Sequence, residues 1–125
     1  MRLVDSSAWI EWLVDSPTGR QLAGLLPSRD RCLVPTMVQL ELSKWLSREK
    51  GEDDADRFIA FTRTCVVVDL DTPIALRAAS LCVEHKLATA DAVIYATAIA
   101  HEADVLTCDN HFEALPHVVL VSNRR

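Results

Sequence analysis

The chain contains no C-x-x-C pair, and its four cysteines, Cys32, Cys65, Cys82 and Cys108, are scattered through apolar surroundings. Its histidines, His85, His101, His111 and His117, keep no zinc-ligand spacing with them. This argues against structural zinc and against a disulfide framework, and the cysteines read as reduced core thiols. No segment approaches the ~20 apolar residues that span a bilayer, and the N-terminus lacks the apolar core of a signal peptide. The longest uncharged run, Ala92–Ala100, reads instead as a buried helix, and cytoplasmic residence is the expectation. Positive charge is short as well: 13 Lys and Arg stand against 18 Asp and Glu, for a net charge of −5. That balance argues against a bulk electrostatic nucleic-acid binder. It leaves room for an enzyme acting on nucleic acid, because bound divalent ions would bring positive charge to the place where phosphate must sit. Glycine occurs only three times, with no repeat or evident linker, and 125 residues fit one domain, 1–125, with one proper core.

What the chain does have is alternation of strand-like and helix-like segments. Arg2–Asp5 reads as a first strand, followed by a helix over Ala8–Val14 with Ser6 or Ser7 as its cap. A second helical segment, Thr18–Leu26, lies between Pro17 and Pro27. Cys32-Leu33-Val34 is a short strand stopped by Pro35, and Thr36 is positioned to cap a long helix to about Lys50. Gly51 ends that helix, and Glu52-Asp53-Asp54 suit the first turn of the next, which runs to Thr62. Val66-Val67-Val68 is strand-like. Thr72-Pro73 opens a helix to about His85, Thr89 caps another to His101, and Val105–Cys108 and Val118–Val121 are the last strands. Strands that are apolar throughout and separated by helices predict an α/β domain, a mainly parallel sheet covered on both faces.

Four carboxylates stand beside apolar sequence rather than on charged faces: Asp5, Glu41, Asp91 and Asp109. Asp5 and Asp109 each follow a strand, at the edge where open parallel sheets bind ligands. Glu41 lies on the second turn of the helix after Cys32–Val34. Met37, Val38 and Trp45 sit four and three residues before it and four after, so it faces an apolar stripe. Asp91 lies in the first turn of its helix, which must begin near the same edge. Gathering carboxylates away from water is costly unless a cation neutralises them. Oxygen ligands favour Mg²⁺ or Mn²⁺ over zinc. Each acid also has a plain structural reading: Asp5 as a cap, Asp91 as a first-turn acid, Asp109-Asn110 as a turn. Asp69 and Asp71 also follow a strand, but Asp71-Thr72-Pro73 is a good helix start. Glu52, Asp53, Asp54 and Asp56 read as a solvated first turn, and His111 beside one acid is weak support for a general base.

The succession Val4-Asp5-Ser6-Ser7, Glu41, Thr89-Ala90-Asp91-Ala92-Val93-Ile94-Tyr95-Ala96 and Leu106-Thr107-Cys108-Asp109-Asn110-His111-Phe112 resembles the PIN domain. In size and order it is similar to the VapC-type ribonuclease toxins, over nearly the whole chain. The resemblance implies a single-domain PIN-like fold with Asp5, Glu41, Asp91 and Asp109 as an acidic quartet, with Ser7 and Thr107 in support. It further implies a Mg²⁺- or Mn²⁺-dependent endoribonuclease leaving 5′-phosphate and 3′-hydroxyl ends, a homodimer, and an antitoxin partner. From charge alone, a divalent ion can both activate water and balance charge on a phosphate, and no serine–histidine or cysteine–histidine pair offers a competing route. Asp5 and Asp91 are expected as inner ligands, with Glu41 and Asp109 holding metal-bound water or a second ion. Lys44 and Arg48, three and seven residues beyond Glu41, either meet RNA phosphates or solvate their helix, paired with Glu49 or Glu52. Among the tryptophans, Trp9 and Trp12 share a helix face, and surface left over from the core suits a partner. A phosphate-transfer receiver domain would need an acid pair after the first strand and a late lysine, and the sequence has neither. A PIN-like module without catalysis is the remaining rival.

Overall fold

Leu3 and Val4 are consecutive, so a strand sends them to opposite sides of a sheet, and both are fully buried. The same holds for Leu33 with Val34 and for Val105 with Leu106. A strand buried on both sides needs a layer on each, which is the parallel α/β arrangement the apolar runs predict. The computed structural model describes residues 1–122 and bears this out. The strands β1 (Arg2–Val4), β2 (Cys32–Pro35), β3 (Val66–Val68), β4 (Asp104–Thr107) and β5 (Val118–Leu120) form one parallel sheet in the order β3-β2-β1-β4-β5. Its helices are α1 (Ser6–Leu13), α2 (Pro17–Ala23), α3 (Thr36–Glu49), α4 (Glu52–Thr62), α5 (Thr72–His85) and α6 (Thr89–Ala100). Short 3₁₀ turns occupy Arg29–Arg31 and Asn110–Phe112. The last three residues of the expected domain lie outside the described residues. No helix among the described residues is long and apolar enough to cross a membrane.

Two caps differ from those the sequence predicts, and a third is decided between competing readings. Asp5, not Ser6 or Ser7, caps α1: its backbone is extended (φ −70°, ψ 156°) and its carboxylate accepts the Ser6 N–H at 2.8 Å. A carboxylate one residue before the serines takes the role, and both serines fall inside the helix. Pro35 and Ala88 hold the cap positions of α3 and α6, without a side-chain cap, so Thr36 and Thr89 are the first helical residues. Asp71 does cap α5, accepting the Ile74 N–H at 3.0 Å, with Pro73 in the first turn. Gly51 stands between α3 and α4 at φ 103°, a conformation L side chains rarely adopt.

The strand order positions the site. The chain runs outward from β1 to β2 and β3, then crosses by α5 and α6 to β4 on the other side of β1. The order therefore reverses between β1 and β4. Ligands of open α/β sheets bind in the crevice beyond the strand ends at such a reversal. Paired residues Val4 and Leu106 bring the end of β1 alongside that of β4, although about a hundred residues separate them. The Asp5 N–H extends this pairing to the Leu106 carbonyl at 2.9 Å.

Candidate metal and active site

Asp5 leaves β1 at this crevice and is 4% exposed. A buried carboxylate needs donors, and Asp5 has three. Ser6 N–H donates to Oδ1, while the hydroxyls of Ser7 (2.9 Å) and Thr107 (2.8 Å) both donate to Oδ2. Those hydroxyls are themselves held by the backbone leaving β4. Ser7 Oγ accepts from the Cys108 N–H and Thr107 Oγ1 from the Asp109 N–H, each at 3.0 Å. Ser7 and Thr107 thus tie the end of β1 to the end of β4 and fix the orientation of Asp5.

Glu41 joins from α3. Ser6 turns its hydroxyl to Glu41 Oε1 at 2.8 Å while its N–H holds Asp5, so one serine links two carboxylates. On the other flank, Asp109 caps the Asn110–Phe112 turn, accepting the His111 N–H at 2.9 Å. The His111 ring then reaches both remaining acids, with Nδ1 3.2 Å from Asp109 Oδ1 and 3.4 Å from Asp91 Oδ2. One ligand atom from each of Asp91, Asp109 and His111 lies within 4.8 Å of the others. The start of α6 therefore reaches the same edge, as the sequence required of Asp91. A continuous series of contacts runs Glu41, Ser6, Asp5, Thr107, Asp109, His111, Asp91. All four predicted acids belong to it, and the capping readings of Asp5 and Asp109 hold at the same time.

Burial pushes the Asp5 carboxyl up to about 6, with the Glu41 charge adding and the donated hydrogen bonds of Thr107, Ser7 and Ser6 opposing. Asp91 is also raised, by burial and by the charge of Asp109, with His111 opposing. Among the described residues, no lysine or arginine forms an ion pair with any of the four acids. The folded state therefore holds the Asp5 proton more tightly than the unfolded chain does, and stability falls as pH rises through the window from 3.8 to about 6. At one pK unit per 1.36 kcal/mol, ionised Asp5 costs about 3 kcal/mol above that window. In chelator, wild type is expected to lose stability relative to Asp5→Asn between about pH 4 and pH 7, by up to that amount. Urea melts of both proteins at the two pH values check this, and a pH-independent difference would contradict it.

Other predicted residues lie elsewhere. Lys44 is exposed on α3, and Arg48, also exposed, pairs with the neighbouring Glu49 at 3.0 Å. Two residues of interest escaped the sequence reading. His111 looked like one histidine beside one acid, because the second acid, Asp91, comes from a distant helix. Glu11 is 4% exposed and accepts from Ser16 Oγ at 2.9 Å. With Asp5, it is one of the charges that hold the buried Cys108 thiol up at about 11, after burial itself. The criterion that singled out Glu41, an acid interrupting an apolar helix, applies equally to Glu11 between Ile10 and Trp12.

Comparison with known proteins agrees with this architecture. The PIN domain family model matches residues 2–118. No curated protein matches the sequence. Among solved structures, a toxin–antitoxin complex from Klebsiella pneumoniae superposes with TM-score 0.85 at 22% identity, covering 99% of this chain and 100% of that one. A Mycobacterium tuberculosis VapC toxin described as cleaving the sarcin–ricin loop gives TM-score 0.79 at 19% identity, covering 98% and 100%. DNA-bound VapBC from Salmonella typhimurium gives 0.73 at 17%, covering 95% of each.

Proposed function

Because the chain belongs to the PIN domain family, we propose that it is a divalent-metal-dependent endoribonuclease and the toxin of a toxin–antitoxin pair. The observation that carries this reading is the contact series joining Glu41, Asp5, Asp109 and Asp91 at the sheet's reversal point without a lysine or arginine partner among the described residues. Carboxylates in that state fit a hard cation, Mg²⁺ or Mn²⁺, and oxygen donors predominate around it. Asp5 and Asp91 would be the inner ligands, and Glu41 and Asp109 would hold metal-bound water or a second ion. When bound, such an ion makes water nucleophilic and balances charge on the phosphate, the chemistry needed to leave 5′-phosphate and 3′-hydroxyl ends. The protein's own part is orientation. Ser7 and Thr107 fix the Asp5 carboxylate, Ser6 sets Glu41 against it, and His111 holds Asp109 and Asp91 together.

RNA is gripped by local positive charge. Lys44 is exposed and available, whereas Arg48 must leave Glu49 to meet a phosphate. An antitoxin partner is supported by the toxin–antitoxin complexes among the structural relatives. A homodimer would draw on apolar helix surface. Trp9 is in the core at 2% exposure, so of the two α1 tryptophans only Trp12, at 38%, is available to it. Such a protein works in the cytoplasm, inhibiting growth by cutting RNA.

The test is incubation of purified protein with structured RNAs, with Mg²⁺ or Mn²⁺ and with chelator. Metal-dependent cleavage is expected, and its absence with both ions would overturn the proposal. Binding is expected to stabilise the fold separately, by about 2.7 kcal/mol at a hundred times the dissociation constant. Melting curves in Mn²⁺ check this. An unchanged melting temperature at concentrations up to millimolar would remove the metal from the proposal.

A further inference from the structure

Cys32 opens β2, and Cys65 immediately precedes β3. The two strands are parallel neighbours in which Leu33 pairs with Val66, so Cys32 and Cys65 are the next pair back in the same register. Directly paired residues of parallel strands project from the same face, with Cα atoms about 4.8 Å apart. That falls inside the range of about 4.4–6.8 Å in which disulfides form. The Cys32 thiol feels the Cys65 thiol electrostatically, as this register requires, and both are free. Cys82 lies on α5, and Cys108 follows the far end of β4, at the opposite edge of the sheet from Cys32. Neither competes for the pair.

We propose that Cys32 and Cys65 are a reversible thiol–disulfide site, closed by a small-molecule disulfide such as oxidised glutathione. Cys32 is 2% exposed while Cys65 is only half-buried, its Sγ donating to the Phe61 carbonyl at 3.9 Å. Accessibility therefore makes Cys65 the first to react. Its thiolate attacks one sulfur of the oxidant, the oxidant's S–S bond breaks, and one glutathione leaves as thiolate and takes up a proton. Cys32 then loses its proton to solvent and attacks the Cys65 sulfur, breaking the mixed disulfide and releasing the second glutathione. The two cysteines are oxidised, and one oxidised glutathione becomes two reduced ones. Burial holds the Cys32 thiol far above its ordinary range, which makes the closing step the slow one. The bond would staple β2 to the start of β3 and constrain the unfolded chain across α3 and α4. It lies at the strand starts, away from the acids, so its formation is measurable independently of any RNA cleavage.

The experiment treats the folded chain with excess oxidised glutathione near pH ~8, then counts thiols and maps linked peptides. Two of the four thiols are expected to disappear in favour of a Cys32–Cys65 linked peptide. The melting temperature should rise by about 10 °C and return on adding dithiothreitol. Cys32→Ser should stop at a glutathione adduct on Cys65, Cys65→Ser should form neither product, and Cys82→Ser should behave as wild type. Four surviving thiols, a persistent glutathione adduct in the wild type, or linkage through Cys82, Cys108 or a second molecule would each overturn the proposal.

Discussion

Asp91→Asn is expected to reduce RNA cleavage by more than about a hundredfold while the chain stays folded. The substitution keeps size and shape but removes the charge that a hard cation needs from an inner ligand. Changing even an outer partner of a metal site typically costs 10–100-fold. Folding should not suffer, because Asp91 is raised by burial and by the charge of Asp109, so the neutral amide relieves repulsion. Asp5→Asn is expected to be as severe for cleavage, and Glu41→Gln nearly so, since Ser6 joins both acids. Asp109→Asn should be milder if it acts through water. Asp71→Asn is the control. Asp71 serves the Ile74 N–H at the start of α5, asparagine caps as well as aspartate, and cleavage should be normal. Single-turnover assays alongside thermal melts read both effects. If Asp71→Asn lost activity while Asp91→Asn kept it, the pocket would have been assigned to the wrong acids.

Gly19→Ala is expected to destabilise the fold by more than about 3 kcal/mol, from a single methyl group. Gly19 lies on α2 against the end of α1. A Cβ there would sit 2.6 Å from the Glu11 carbonyl carbon, closer still to its oxygen, and 3.0 Å from the Trp12 Cα. These are backbone atoms, which cannot swing aside as a side chain can. Either α2 lifts away or α1 shifts, and α1 is capped by Asp5 and carries Ser6, Ser7 and Glu11. Gly24→Ala makes the comparison clean: nothing among the described residues lies within 4 Å of its Cβ position, and its φ of −76° suits alanine. That variant is expected to be neutral or to gain a few tenths of a kcal/mol through the unfolded chain. Urea unfolding of the two variants checks the contrast, and equal stability would show that the close approach of the helices is not rigid.

Much of the molecule follows from local sequence, because local physics decides it. Runs such as Leu3-Val4 and Val105-Leu106 are apolar at every position, which only a strand covered on both sides accommodates. Glu41 could be singled out because a helix has a fixed period, and its neighbours at −4, −3 and +4 are apolar. The helix start at Asp71-Thr72-Pro73 could be read because capping spans only three residues; of the two caps it offers, Asp71 and Thr72, the structure takes Asp71. Where several local solutions compete, sequence is a weaker guide. Ser6, Ser7 and Asp5 are all good caps, and the carboxylate took the position by one residue.

Tertiary structure alone decided what depends on strand order. Nothing near Asp5 in the chain announces that Thr107 will donate to it across about a hundred residues. That contact exists because β4 inserts beside β1 rather than beside β3. The same placement turned His111 from an isolated histidine into the link between Asp109 and Asp91, while the pairing of β3 with β2 brought Cys65 alongside Cys32. Helix packing also gave Trp9 and Trp12 different exposures: their rings meet edge-on, but Trp9 is enclosed by Phe58 and Phe61 of α4 while Trp12 stays partly exposed. Local sequence determines which elements form and which side chains are costly to bury. Sheet order determines which of those costly groups meet, because parallel strands joined by long crossovers leave neighbours in space far apart in the chain.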